Sequence, residues 1–98
     1  MEKFNEIISG SRLVLVDFFA QWCGPCKTMA PILVTLKKEM GDNIRIIKID
    51  IDKNNPIATS YDIRSVPTLI LFKNGNILWR SSGARPLHEL KEIVLQHI

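Results

Sequence analysis

The chain has 98 residues, 46% of them apolar and 23% charged, with a net charge of +3. That length suits a single domain over residues 1–98, with room for one compact core. No apolar run approaches the roughly 20 residues of a membrane span. The basic residues are scattered rather than gathered into the stripe that nucleic-acid binding requires, so neither a membrane nor a nucleic-acid partner is expected.

In chain order, the opening Met1-Glu2-Lys3-Phe4-Asn5-Glu6 lacks the basic region, apolar stretch and small-residue cleavage site of a signal peptide, and a cytoplasmic location is expected. Residues 3–9 read as a short helix with Phe4, Ile7 and Ile8 on one side. Residues 12–19, Arg-Leu-Val-Leu-Val-Asp-Phe-Phe, form a continuous apolar run, the mark of a strand buried on both faces. Residues 24–40 predict a helix, because Met29, Ile32, Leu33, Leu36 and Met40 recur at helical spacing. Pro31 lies inside it and is expected to kink it by removing a hydrogen bond to the Lys27 carbonyl. Residues 44–51 form an isoleucine-rich second strand, with Lys48 in phase with Ile44 and Ile46.

Asn55-Pro56 supplies a cap and a first-turn proline for a short helix through Tyr61. Strands at 68–73 and 76–81 are joined at Asn74-Gly75, a tight-hairpin signal. A last helix spans 86–97, with Leu87, Leu90, Val94 and Ile98 on one face. The order is αβαβαββα. The first two strands, linked through a helix, are expected to be parallel and the last two antiparallel. This is an α/β chain with a mixed four-stranded sheet flanked by helices.

The two cysteines stand at 23 and 26, a spacing that random placement gives about 2% of the time. As a staple the pair has little to offer: closing so short a loop stabilises by about 2 kcal/mol, against about 4.7 kcal/mol for a 100-residue loop. As a zinc site it lacks ligands, since His88 and His97 are far downstream and not closely spaced on their helix. No metal site is expected. A redox pair fits better, because vicinal cysteines between a strand and a helix can cycle between dithiol and disulfide with little backbone movement.

Trp22-Cys23-Gly24-Pro25-Cys26-Lys27 resembles the active-site motif of the thioredoxin family. Val16-Asp17-Phe18, Pro31, Lys48, Asp50, Val66-Pro67-Thr68, Lys73-Asn74-Gly75 and Gly83-Ala84 match further landmarks of that family in the right order, so the likeness covers essentially the whole chain. There are two departures. The usual first strand has no room before the first helix, which predicts four strands rather than five and leaves strand 44–51 as an uncovered edge where a second copy could add. Phe19 stands where many thioredoxins carry tryptophan.

The resemblance implies the thioredoxin fold and reduction of protein disulfides by dithiol–disulfide exchange. Cys23, at the N-terminus of a helix whose free N–H groups and dipole favour a thiolate, is expected to be the nucleophile. Thioredoxins are themselves a standing example of such a lowered cysteine pKa. Cys26, one turn inside and expected to be the more buried, resolves the mixed disulfide. The alternative for both is an inert core thiol. Gly24 and Pro25 tune the pair: Pro25 offers no N–H to the thiolate, which favours a reducing couple, although simple helix initiation also explains it.

Asp17 interrupts an apolar strand, so burial is expected to raise its pKa and make it a proton carrier. The resemblance makes it the base for Cys26, and a satisfied buried carboxylate is the bland alternative. Lys48 either pairs with Asp17, as its family counterpart implies, or reaches solvent. The family also implies a cis Pro67, with Val66 offering backbone groups to an extended substrate. Trp22, Gly83 and Ala84 would complete an apolar groove, the alternative for Trp22 being packing against the sheet.

The implied partners are disulfide-containing proteins and a thioredoxin reductase that holds the flavin and uses NADPH. No bound cofactor is expected in the chain beyond its redox-active disulfide. A monomer is expected, with strand 44–51 as the place for a dimer. A narrow-substrate redox protein and a thioredoxin-fold binding module are the other classes. Gly24-Pro25 argues against an oxidase, an isomerase or a glutaredoxin, and the intact pair with Asp17 argues against a module.

Overall fold

The strand over Leu13–Phe19 (β1) is apolar at every position but one, and it runs through the middle of the molecule. In the computed structural model, which describes residues 3–98, it lies between Ile44–Asp50 (β2) and Thr68–Lys73 (β3). Asn76–Ser82 (β4) completes a sheet of order β2-β1-β3-β4. The β1–β2 pair is parallel and the β1–β3 and β3–β4 pairs are antiparallel, so the expected mixed four-stranded sheet is present. Met1 and Glu2, and the reading of them as lacking a signal or a strand, lie outside the described residues.

The period of two along β1 sorts its side chains between two layers. Leu13 and Leu15 join Leu69 and Leu71 of β3 beneath Gly24–Met40 (α2) and Leu87–His97 (α4), where Met29, Leu33, Leu36, Met40, Leu90 and Val94 close the core. Val14, Val16 and Phe18 join Ile70 and Phe72 on the opposite face, beneath Phe4–Ile8 (α1) and Asn55–Ser60 (α3). Phe4, Phe18, Tyr61 and Phe72 meet there in tilted and edge-on ring contacts. By this alternation Asp17 falls on the α2 side. The buried stripe of α2, Cys26, Met29, Leu33, Leu36 and Met40, is the face turned towards it.

Several boundaries differ from the sequence reading, each for a local reason. β1 starts at Leu13, where its pairing with Ile44 of β2 begins, and the Arg12 side chain donates to the Ile44 carbonyl at 3.0 Å. α1 covers only Phe4–Ile8, and α4 starts at Leu87. β2 ends at Asp50, although the Ile51 N–H still bonds the Phe19 carbonyl at 3.0 Å. α3 starts at Asn55 with Asn54 as its cap, not Asn55, and Pro56 takes the second helical position. The Asn54 side chain does not cap but donates to the Asp50 carbonyl at 3.1 Å. Ile98 is exposed and outside the α4 core face, because the helix ends at His97. α2 runs unbroken through Pro31.

The β3–β4 hairpin turns at Asn74 (φ +53°) and Gly75 (φ +79°), two successive left-handed residues that match the twist of the strands. Their N–H groups donate to the Gly10 and Ile8 carbonyls, tying the hairpin to the loop before β1. A Cβ at Gly75 would meet nothing closer than 3.9 Å, so its cost is conformational rather than steric. Gly75→Ala should therefore lower stability by about 1 kcal/mol. Gly10→Ala, at open space and outside the left-handed region, should leave it nearly unchanged. Urea unfolding of the two variants beside wild type measures the contrast.

Candidate active site

The site forms where β1 ends and α2 begins. The Cys23 N–H donates to the Ala20 carbonyl at 3.1 Å, closing the turn between them. Cys23 is the N-cap of α2, in extended conformation, and its Sγ accepts the Cys26 N–H at 3.1 Å. A sulfur in this place stands in for the oxygen of an ordinary capping side chain. Pro25, in the first turn, has no N–H to offer, so Cys26 supplies the donor. Cys23 and Cys26 are disulfide-bonded, with their Cα atoms 5.3 Å apart.

The expectation that Cys26 is clearly the more buried does not hold at the level of whole residues, which are 4% and 5% exposed for Cys23 and Cys26. The Val66–Pro67 loop accounts for this. Val66 packs against the pair, and its carbonyl oxygen lies 3.6 Å from Cys23 Sγ, close enough to accept from a thiol there. The Val66–Pro67 bond is cis. The Gly83 N–H donates to the Pro67 carbonyl at 2.8 Å, which brings the end of β4 to the same loop. Ala84 follows it, exposed.

Trp22 is 70% exposed, and its indole N–H donates to Asp52 Oδ2 at 3.0 Å. Asp52 and Asp50 are the residues that the sequence reading did not assign. The buried Asp50 carboxylate accepts the Asp52 N–H at 2.9 Å, and its carbonyl accepts from Asn54. The Asp-x-Asp turn after β2 thus presents Asp52 to the indole. Its signal was the habit of aspartate to bond backbone groups two residues on.

Asp17 is fully buried, and neither carboxylate oxygen has a hydrogen-bond partner. Burial pushes its pKa up to about 6, with the Lys48 charge pulling more weakly in the other direction. Lys48 is its lateral neighbour across the parallel β1–β2 pair. The Lys48 ammonium makes no contact with the carboxylate. It sits over the Phe19 ring, 4.9 Å from the centroid. Phe19, Ala20, Gln21, Cys26, Lys27, Ala30 and Lys48 line a cavity of about 150 Å³ that reaches Cys26 from this side. Among the described residues no cluster of histidine, cysteine and carboxylate side chains could hold a metal ion.

A vicinal cysteine pair at a helix N-terminus, an unbonded buried carboxyl on the facing strand and a proline loop against the sulfurs together form a dithiol–disulfide exchange centre. The thioredoxin family model matches residues 1–96. A thioredoxin of Bacillus subtilis is 46% identical over 86 residues, covering 88% of this chain and 83% of the relative. Thioredoxin Y, chloroplastic, of rice is 47% identical over 89 residues, 90% of this chain and about half (53%) of that protein. The X-ray structure of Fasciola hepatica thioredoxin superposes with a TM-score of 0.83 at 39% identity, covering 92% of this chain and 85% of that one. The chain belongs to the thioredoxin family, and it is a protein thiol–disulfide oxidoreductase whose redox group is its own Cys23–Cys26 pair.

Proposed function

We propose that the chain is a general reductase of protein disulfides in the cytoplasm, acting as one domain over residues 1–98. Cys23 is the nucleophile, Cys26 the resolving thiol and Asp17 the acceptor of the Cys26 proton. Lys48 is the charge beside that acceptor. The observation that carries this reading is the Cys26 N–H aimed at Cys23 Sγ from the helix N-terminus, 3.1 Å away. A donor and a helix dipole at that point favour a thiolate.

The reaction runs in two steps. The Cys23 thiolate attacks one sulfur of the substrate disulfide. A Cys23–substrate bond forms, the substrate bond breaks, and the freed substrate sulfur leaves as a thiolate that takes a proton. Cys26 then gives its proton to Asp17 and attacks Cys23 Sγ. The Cys23–Cys26 bond forms and the second substrate thiolate departs. The substrate gains two electrons and the chain loses two. A thioredoxin reductase carrying flavin and drawing on NADPH returns the pair to the dithiol.

The substrate lies extended against the Val66 backbone beside Pro67. Trp22, Gly83 and Ala84 form the apolar surroundings, and Gly24 and Pro25 keep the couple reducing. The chain works as a monomer. β2 is the outermost strand of the sheet on its side and is the place where a second copy would add. A mass above one chain at high concentration, lost on placing a proline in β2, would replace the monomer with that dimer.

Insulin reduction driven by dithiothreitol tests the function. Wild type should reduce insulin rapidly, and Cys23→Ser should lose essentially all of that rate. Slow reduction by wild type with both thiols free would instead make the chain a narrow-substrate redox protein or a binding module.

Asp17 also yields a stability prediction. Its carboxyl has an ordinary value of 3.8 and a folded value of about 6. The folded state therefore holds the proton more tightly. The stability this confers is complete below pH 3.8 and is lost as pH rises through 6. Two units correspond to about 3 kcal/mol. Asp17→Asn should be more stable than wild type by about 2 kcal/mol at pH 8, with the gain disappearing towards pH 4, as read by urea unfolding of the oxidised proteins. The same variant should turn over insulin more slowly at pH 7, and an unchanged rate would remove Asp17 from the mechanism.

A further inference from the structure

Phe19 ends β1, two residues beyond Asp17 and on the same face of the sheet. Its ring is only half-buried, yet it is not idle at the surface. The Lys48 ammonium rests over it, 4.9 Å from the centroid, and both side chains line the cavity that reaches Cys26. A lysine on an edge strand, exposed and without a carboxylate contact, would ordinarily swing through solvent on its flexible stem. The quadrupole of the ring gives that cation a fixed resting place.

The charged and titratable groups facing Asp17 from the elements around it are few. They are Lys48 and Asp50 on β2, with Cys26 and Lys27 on α2. β3 supplies Leu69 opposite it, and α4 meets this face through Leu90 and Val94. Asp50 already accepts a backbone N–H. Lys48 is the one of these that lowers the proton affinity of Asp17, so where its ammonium rests matters to a carboxyl with no hydrogen bond of its own.

We propose that Phe19 is a positioning residue: its ring holds the Lys48 ammonium at the cavity leading to Cys26, and so keeps a positive charge beside the buried Asp17 carboxylate. Without the ring, the ammonium moves out to water and Asp17 becomes a harder group to keep ionised. This rests on the reading of Asp17 as the proton acceptor for its catalytic consequence, but not for its electrostatic one.

The test follows the Asp17 carboxyl carbon by NMR from pH 4 to pH 9 in the reduced protein. It compares wild type, Phe19→Leu, Phe19→Tyr, Lys48→Met and the Phe19→Leu/Lys48→Met double variant. Phe19→Leu should raise the Asp17 midpoint, so that the ionised fraction at pH 6 falls about two-fold. Phe19→Tyr, which keeps a ring, should titrate like wild type. In the Lys48→Met background Phe19→Leu should move nothing further, which a merely structural role for the ring would not reproduce. A Phe19→Leu curve that overlays wild type, moves downwards, or shifts equally in both backgrounds would overturn the proposal. The pH profile of mixed-disulfide release, measured on the same variants, separates the two claims. If the midpoint moves as expected and the release profile does not, the positioning by Phe19 stands and the role of Asp17 as acceptor fails.

Discussion

The structure depends on a strand buried on both faces that carries one carboxylate. β1 is closed off by α2 and α4 on one side and by α1 and α3 on the other, so every residue from Leu13 to Phe18 is buried. A strand in that position selects for branched and aromatic side chains. An acid there destabilises the fold whenever it is ionised, and no hydrogen bond offsets the loss of water. The fold tolerates this because the clusters on both faces of the sheet are built from apolar side chains. Asp17 is thus held in a state where its proton is finely balanced near neutral pH, a condition that a solvent-exposed carboxyl does not reach.

The alternation of β1 and the stripe of α2 then decide what the acid faces. Asp17 is in phase with Leu13 and Leu15, and Cys26 is in phase with Met29 and Leu33. The same periodicities that build the core therefore turn Cys26 and Asp17 towards each other's layer. Cys23 belongs to a different device, the end of the helix, where its sulfur caps the first turn. The two sulfurs sit three residues apart on one backbone but answer to different surroundings, one to a helix N-terminus and the other to the sheet. This division suits a pair in which one thiol is to be ionised first and the other later.

Much of this was legible in the sequence, because it rests on local periodicity. The continuous apolar run of β1, the helical rhythm through Met29, Leu36 and Met40, and the Asn74-Gly75 turn each follow from neighbours a few residues apart, and the parallel β1–β2 and antiparallel β3–β4 pairs follow from their connections. What was not legible depends on contacts between distant segments. The Val66 carbonyl lies against Cys23 and covers it as fully as Cys26. Lys48 was read as either pairing with Asp17 or reaching solvent. It is exposed, as the second alternative has it, and its ammonium rests over the Phe19 ring, a contact that only the register of β1 against β2 reveals. Asp52 escaped notice because its partner, Trp22, is 30 residues away.

The two layers divide the work unequally, and that division explains where sequence change is affordable. The α1/α3 side is an aromatic cluster of Phe4, Phe18, Tyr61 and Phe72 packed with the buried apolar side chains Ile8, Val14, Val16 and Ile70. The α2/α4 side holds Asp17, Cys26 and the cavity between Phe19 and Lys48. Packing on the first side stabilises the sheet whatever the redox state of the cysteines. Any polar change on the second alters a carboxyl that has no hydrogen bond to buffer it. The chemistry is thus confined to one end of one layer, and the opposite layer supplies the stability that an uncompensated acid in the middle strand takes away.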